Sequence, residues 1–181
     1  RAWSGFDRQR FEALANRGLD ALELKARMLQ LAAAMRATLP EGFNAACDVL
    51  EASLAPPLPL DDKGEPVSLS SADADAGLSG WVIWSMGEFV ARHGQHDVPR
   101  ALTCLHSLTQ RSTAEFAIRP FIQQQPDAVW PVLARWANDP SAHVRRLVSE
   151  GSRPRLPWGL RLQALVADPT PALPLLRALQ D

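Results

Sequence analysis

Apolar residues recur at intervals of three and four along most of the chain, which restricts it to a helical fold. Residues 20–39 show the pattern clearly, because Leu24, Met28, Leu31 and Met35 follow one another at spacings of four, three and four. The 28 alanines and 26 leucines far outnumber the 3 isoleucines and 10 valines, which is the reverse of strand composition. The pattern predicts an all-α chain with helices at residues 6–17, 20–39, 42–54, 80–92, 97–110, 112–124, 126–137, 140–150, 157–167 and 170–180.

A proline-rich acidic loop at residues 55–79 interrupts these helices, with four prolines and five acidic residues against one lysine. Beyond it the helices are short, and an Asp-Pro pair recurs at residues 139 and 168. An Asp cap followed by proline at the first helical position is a common helix start. Recurring short helices of this kind predict a right-handed stack of HEAT-like pairs, in which helices begin near Pro126, Pro140 and Pro157.

Several classes of protein are excluded by what the sequence lacks. Cys47 and Cys104 each fall within a predicted helix, so they form no disulfide framework and indicate a reducing, cytoplasmic compartment. No apolar run approaches the ~20 residues of a membrane span. Phosphate-binding glycine-rich loops, nucleophile elbows and sets of metal ligands are also missing. We therefore expect a monomer that uses no metal, no other cofactor and no membrane.

Basic charge is concentrated in the C-terminal half. Residues 1–99 carry 9 basic and 14 acidic residues (9 − 14 = −5), whereas residues 100–181 carry 10 and 6 (10 − 6 = +4). Within residues 141–161 there are five arginines and one acid, Glu150. The planar guanidinium suits bidentate contact with phosphate, so this asymmetry indicates a nucleic-acid partner. The excess of arginine over lysine can equally follow from the base composition of the gene.

Two segments of this half each place a carboxylate among arginines. Residues 111–121 contain Glu115, and residues 143–158 contain Glu150, followed eight positions later by Trp158. Arginines can hold phosphates, a carboxylate can stabilise a developing sugar cation, and an indole face attracts a cationic base. These residue types together are suited to removing an alkylated base from DNA.

Structural roles are also open to these residues. The spacing Ser112-x-x-Glu115 fits a capping box, and Glu115 is placed to pair with Arg119 four residues on. Glu150 is placed to pair with Arg146, although it lies at a helix end where the helix dipole disfavours a carboxylate. Core packing is the corresponding structural role for the tryptophan.

The two segments make the chain similar to the DNA alkylation repair glycosylases of the AlkC/AlkD superfamily, and most similar to the AlkC type. The resemblance extends through most of the chain and is most specific at residues 113–121 and 143–158. It implies a HEAT-like superhelix that holds duplex DNA and hydrolyses the N-glycosidic bond of cationic alkylated purines such as 3-methyladenine. On the matching positions, Glu115 and Glu150 would line the active site and Trp158 would face the damaged nucleotide. The residues expected to contact DNA are Arg119, Arg145, Arg146, Arg153, Arg155 and His143.

The resemblance also bears on domain organisation. Members of this superfamily continue through further helical repeats with another catalytic Asp, whereas this sequence stops at Asp181. Either residues 1–181 are a fragment or the chain has lost part of its site, and we expect a single HEAT-like domain at the start of a longer array. The alternative function is a non-catalytic HEAT scaffold for DNA or protein, with Glu115 and Glu150 acting only as caps and ion pairs. Convergence of Glu115, Glu150 and Trp158 in one cleft rimmed by Arg119, Arg146 and Arg153 would favour the glycosylase.

Overall fold

Helices account for the regular structure in the computed structural model, which describes residues 3–64, 67 and 76–180. Over these residues the α-helices are α1 (Arg8–Ala15), α2 (Leu24–Thr38), α3 (Phe43–Ala52), α4 (Val82–His93), α5 (Val98–Thr109), α6 (Glu115–Gln124), α7 (Pro126–Trp136), α8 (Ala142–Gly151), α9 (Gln163–Ala167) and α10 (Leu173–Ala178). Leu54 and Leu78 form an isolated bridge. The predicted all-α class is confirmed. Part of the predicted loop at 55–79 lies outside the described residues.

The helix starts follow the predicted turn chemistry in part. Helix α7 begins at Pro126, as predicted. At the two Asp-Pro pairs, however, the side chains of Asp139 and Asp168 accept hydrogen bonds from the amides two residues on, at 2.8 and 3.0 Å. The pair therefore forms a turn before the helix, and α8 begins at Ala142 rather than at Pro140.

The predicted helix at residues 157–167 is wrong over its first half. Residues 152–162, which we call the Trp158 loop, are irregular, and α9 covers only Gln163–Ala167. Trp158 has a φ of 62°, in the left-handed region that a right-handed helix excludes. The segment is instead held by a long-range side-chain contact described below.

The helices form two layers. One row consists of α2, α4, α6 and α8, and each of these helices contacts the next. The other row contains α3, α5 and α7. Helix α3 packs on α5, and α7 packs on α6 and α8 of the first row. A continuous apolar core fills the space between the rows, and it includes Phe89, Phe121 and Leu133. Cys47 and Cys104 are free and buried in it, and a hydrogen bond to Cys47 together with burial raises the pKa of the Cys104 thiol. No helix within the described residues is long and apolar enough to cross a membrane.

Glycines allow the first row to pack closely. A Cβ atom on Gly151 of α8 would lie 2.6 Å from Ile118 Cγ2 of α6, and one on Gly87 of α4 would lie 3.1 Å from Ala117 Cβ. Both distances are shorter than ordinary carbon contacts of about 3.5–4.0 Å. The α6–α8 contact therefore requires glycine at the position that follows Glu150.

We predict that Gly151→Ala destabilises the protein by about 1–3 kcal/mol, because the added methyl group overlaps a branched side chain that cannot move away freely. Gly42→Ala is the matched control, since a Cβ there meets no atom within 4 Å, and it should cost about 1 kcal/mol or less. Urea unfolding of both variants measures the difference. Equal losses would show that the α6–α8 contact tolerates a methyl group.

Candidate active site

Two carboxylates come together where α6 begins and α8 ends. Glu115 is the first residue of α6, and its side chain is only 9% exposed. Its Oε2 lies 3.4 Å from Nη1 of Arg146 on α8. One residue before the end of α8, Glu150 Oε2 accepts a hydrogen bond of 2.9 Å from Arg153 Nη1, and the Glu150 side chain is 27% exposed. Each acid therefore has its own arginine.

The pKa of Glu115 is affected by its burial and by the charged groups around it. Burial raises the pKa of the Glu115 carboxyl above its ordinary value, and the negative charge of Glu150 acts in the same direction. The guanidinium of Arg146 offsets part of this effect and lowers the pKa. Glu150 is thus close enough to influence the charge of Glu115, as a shared site requires.

An aromatic stack lies beside the carboxylates. The ring of Trp158 stacks on Trp84 of α4, with centroids 6.2 Å apart and planes within 1°. Trp84 also stacks on Phe116, the residue after Glu115, at 4.9 Å. Trp158 is nevertheless 68% exposed, so one face of its indole packs on Trp84 while much of the ring is open to solvent. Trp81, which is also exposed, lies 6.3 Å from Trp84.

The residues predicted to contact DNA differ in their exposure to solvent. Arg146, Arg153 and Arg155 are exposed. Arg145 is half-buried and donates from Nη1 to the carbonyls of residues 139 and 140 at 2.7 and 3.0 Å. His143 is buried, and its Nε2 lies 2.8 Å from the carbonyl oxygen of residue 58 in the proline-rich loop. The expectation that His143 contacts DNA is wrong in this structure, because the loop covers it.

Arg119 is a second correction, since its side chain is entirely buried. Its Nε donates to the carbonyl of Leu160 at 2.5 Å, and Nη1 donates to those of Gly151 and Arg153 at 2.9 and 2.7 Å. Its Nη2 donates to Pro154 at 3.3 Å. The guanidinium therefore binds the protein backbone, and it neither rims the site nor faces a phosphate.

The structural roles considered for the acids are not the ones found. Helix α6 begins at Glu115, so Ser112 is not its N-cap and the capping box does not form. The Glu115 amide instead lies 3.5 Å from the hydroxyl oxygen of Thr113. The predicted ion pairs Glu115–Arg119 and Glu150–Arg146 are also absent. Arg119 is buried against backbone carbonyls, and Arg146 pairs with Glu115 instead.

Sequence reasoning missed three residues that support the tryptophan. Trp84 lies in a helix that is apolar almost all round, which favoured a core role, and Phe116 carries no polar signal. Lys25 of α2 donates from Nζ toward the carbonyl oxygen of Trp158 at 3.4 Å, across 133 residues of sequence. No local pattern could indicate such a contact. Among the residues that the structure describes, no three His, Cys, Asp or Glu side chains group as metal ligands would.

Comparisons with known proteins place this geometry in context. No family model matches the chain. It is 34% identical over 181 residues to the uncharacterized protein YhaZ of Bacillus subtilis (strain 168), covering 99% of this chain and 45% of that protein. A solved structure, Pseudomonas fluorescens alkylpurine DNA glycosylase AlkC bound to DNA containing an abasic site analog, matches with a TM-score of 0.80 and 31% identity. That match covers 98% of this chain and 44% of the other.

The chain thus has the α-helical repeat fold of a class of DNA repair glycosylases. The similarity to AlkC confirms the resemblance inferred from the sequence. It spans less than half the length of either protein it matches.

We predict that Glu115→Gln raises the melting temperature near neutral pH. The raised pKa means that the folded state favours the protonated acid, so ionising Glu115 costs stability as pH rises through the folded pKa. The amide is neutral at every pH and avoids that cost. The gain should disappear below about pH 4.3, the ordinary value for Glu, where the wild-type acid is protonated in both states. Thermal unfolding across this range is the measurement, with the exposed Glu41→Gln as control. A gain independent of pH would contradict the assignment.

Proposed function

We propose that this chain carries the lesion-facing part of a DNA glycosylase that hydrolyses the N-glycosidic bond of cationic alkylated purines, of the 3-methyladenine type, in duplex DNA. The observation that carries the proposal has two parts: Glu115 and Glu150 interact where α6 begins and α8 ends, and the exposed Trp158 stacks on Trp84, which stacks on Phe116 next to Glu115. The likeness to AlkC, which was solved on DNA containing an abasic site analog, supports it.

The chemistry needs little beyond these groups. An alkylated purine is cationic, so when the bond from C1′ to its nitrogen breaks, the electron pair leaves with the base and the base becomes neutral. The sugar is left as an oxocarbenium-like cation, which a carboxylate stabilises. A water molecule then adds its oxygen to C1′ and gives its proton to a carboxylate. Glu115 is the more shielded acid and suits electrostatic stabilisation, whereas Glu150 is more accessible to water.

Trp158 has the form of a lesion contact at the protein surface. Its rear face is fixed by Trp84, and its open face can attract a cationic base or pack on the sugar. An exposed ring of this kind fits a lesion handled while it stays stacked in the duplex, rather than one extruded into a pocket. Such a site would favour cationic bases, whose glycosidic bond is intrinsically weak.

The exposed arginines suit the phosphates around this site. A guanidinium has five N–H donors, so Arg146 and Arg153 can each hold a carboxylate and still donate to a phosphate. Arg155 is exposed, and no ion pair in the part of the chain that the structure describes includes it.

Release of methylated purines from alkylated duplex DNA tests the proposal. This 181-residue chain and a version extended past Asp181 by the further repeats that the resemblance implies, which we call the full-length protein, should be assayed side by side against buffer and undamaged DNA. We expect the full-length protein to release 3-methyladenine and the 181-residue chain to release it poorly, since the resemblance implies a further catalytic Asp downstream. DNA binding without release by the full-length protein would instead establish the non-catalytic scaffold.

In the full-length protein, we predict that Glu150→Gln and Trp158→Ala lower the single-turnover excision rate by about 10²-fold, while DNA affinity changes about twofold or less. Both groups act on the transition state rather than on docking. Arg155→Ala is the comparison, and it should weaken binding with little change in rate. Loss of affinity that accounts for the whole effect at Glu150 and Trp158 would remove them from the mechanism.

DNA affinity should also fall steeply with salt. Each neutralised phosphate releases about 0.9 counterion, so the slope of log affinity against log salt counts the phosphate contacts. Arg155→Ala should reduce that slope by about one, whereas Arg119→Lys should leave it unchanged, because the buried Arg119 faces no phosphate. Fluorescence anisotropy titrations at several salt concentrations measure both. An equal reduction of the slope for the two variants would place Arg119 on the DNA.

A further inference from the structure

We propose that Arg119 is a positioning residue that sets the orientation of Trp158 from inside the protein. The inference rests on the proposed function for its catalytic consequence, but its structural part can be tested without any activity. It replaces the sequence-based role of Arg119, which was a contact with DNA.

The geometry concentrates the donors of Arg119 on one short segment. Its four hydrogen bonds all end on backbone carbonyls between residues 151 and 160. The acceptors at Gly151, Arg153 and Pro154 precede Trp158, and the acceptor at Leu160 follows it. One rigid guanidinium plane therefore fixes the backbone on both sides of the tryptophan.

The loop's own backbone supplies only part of this support, through hydrogen bonds from the Gly159 amide to the Leu156 carbonyl at 3.0 Å and from the Leu162 amide to the Pro154 carbonyl at 3.1 Å. Trp158 holds a φ of 62°, a conformation that a bulky L-residue adopts only when its surroundings impose it. The Lys25 contact at the Trp158 carbonyl is long and exposed. The stack on Trp84 fixes the ring but not the chain that carries it. The Arg119 bonds are the buried interactions that define the path of this chain.

The identity of the side chain agrees with this role. Burying a guanidinium costs free energy unless its donors are satisfied, and no ion pair within the described residues includes Arg119. A hydrophobic residue would fill the same space without that cost. Lysine would present a point charge in place of a planar fork with five donors, so it cannot hold the same set of carbonyls.

The same guanidinium also connects the tryptophan to the acids. Its bond to the Gly151 carbonyl holds the residue directly after Glu150, and Arg119 itself lies one helical turn after Glu115 on α6. Arg119 thus joins the helix that carries one acid to the end of the helix that carries the other. Its loss should misplace the site without removing any group that touches DNA.

Fluorine NMR of protein labelled with 5-fluorotryptophan gives a direct readout. The six tryptophans provide separate probes, and Trp158→Phe assigns the signal of Trp158. In Arg119→Lys, the Trp158 signal should broaden or move toward its position in the unfolded chain, while the signals of Trp130 and Trp136 on α7 stay in place. Gly159→Ala is a local comparison, since its Cβ would lie 3.2 Å from Cβ and Cδ2 of Leu156 and 3.4 Å from Arg119 Cδ, and it should move the same signal from within the loop.

Arg111→Lys is the matched control. Arg111 is also a partly buried arginine whose guanidinium donates to backbone carbonyls, at 2.7 Å to residue 55 and 2.9 Å to residue 107. Its acceptors lie outside the Trp158 loop, so its loss should affect stability without moving the Trp158 signal.

Single-turnover excision by the full-length protein completes the test. Arg119→Lys should lower the rate by about tenfold or more while DNA affinity stays within about twofold, because misplaced groups cost rate rather than docking. An unchanged Trp158 signal in Arg119→Lys, or equal disturbance of the α7 tryptophans, would overturn the inference. If the wild-type protein releases no base, the proposed function fails, and the NMR comparison still decides the role of Arg119.

Discussion

The close packing of α6 on α8 determines where each charged group of the candidate site lies. Gly151 removes the side chain that would separate the two helices at this point. The start of α6 then lies beside α8, which puts Glu115 within 3.4 Å of Arg146 and under the influence of Glu150. Arg119 extends from the same face of α6 to the carbonyls beyond α8. The close contact at Gly151 therefore determines the positions of the two acids, their arginines and the Trp158 loop.

Local sequence signals predicted the helices well where local chemistry decides them. Helix α7 begins at Pro126 because proline suits a first helical turn, and the apolar spacing of α2 places Met28 and Met35 in the core. The helix predicted from Pro157 failed for a non-local reason. The Leu160 carbonyl in that segment accepts a hydrogen bond from Arg119, and so do the Gly151 and Arg153 carbonyls before it, all more than thirty residues away in sequence. Proline followed by apolar residues carries no trace of such a partner.

For the candidate site too, local sequence signals predicted some features and missed those that depend on distant residues. Glu115, Glu150 and Trp158 were selected by residue type and by resemblance, and the structure brings them close together, while their catalytic roles remain predictions. Arg119 and His143 were selected as surface cations, yet both are buried against backbone carbonyls. Charge alone cannot distinguish an arginine that binds phosphate from one that binds its own backbone. Burial decides between them, and burial depends on the packing of the whole row.

The pairing of each carboxylate with its own arginine has a consequence for the approach of a polyanion. Two bare acids at the contact surface would repel phosphates, whereas the pairs Glu115–Arg146 and Glu150–Arg153 carry no net charge. Under the proposed function, a duplex that arrives with a cationic base offers a new partner to both members of each pair. Phosphates attract the arginines and the positive sugar attracts the acids. Each charged side chain thus changes its partner from one in the protein to one in the DNA, and the net charge of the site stays the same. Undamaged DNA supplies phosphates for the arginines but no positive group for the two acids.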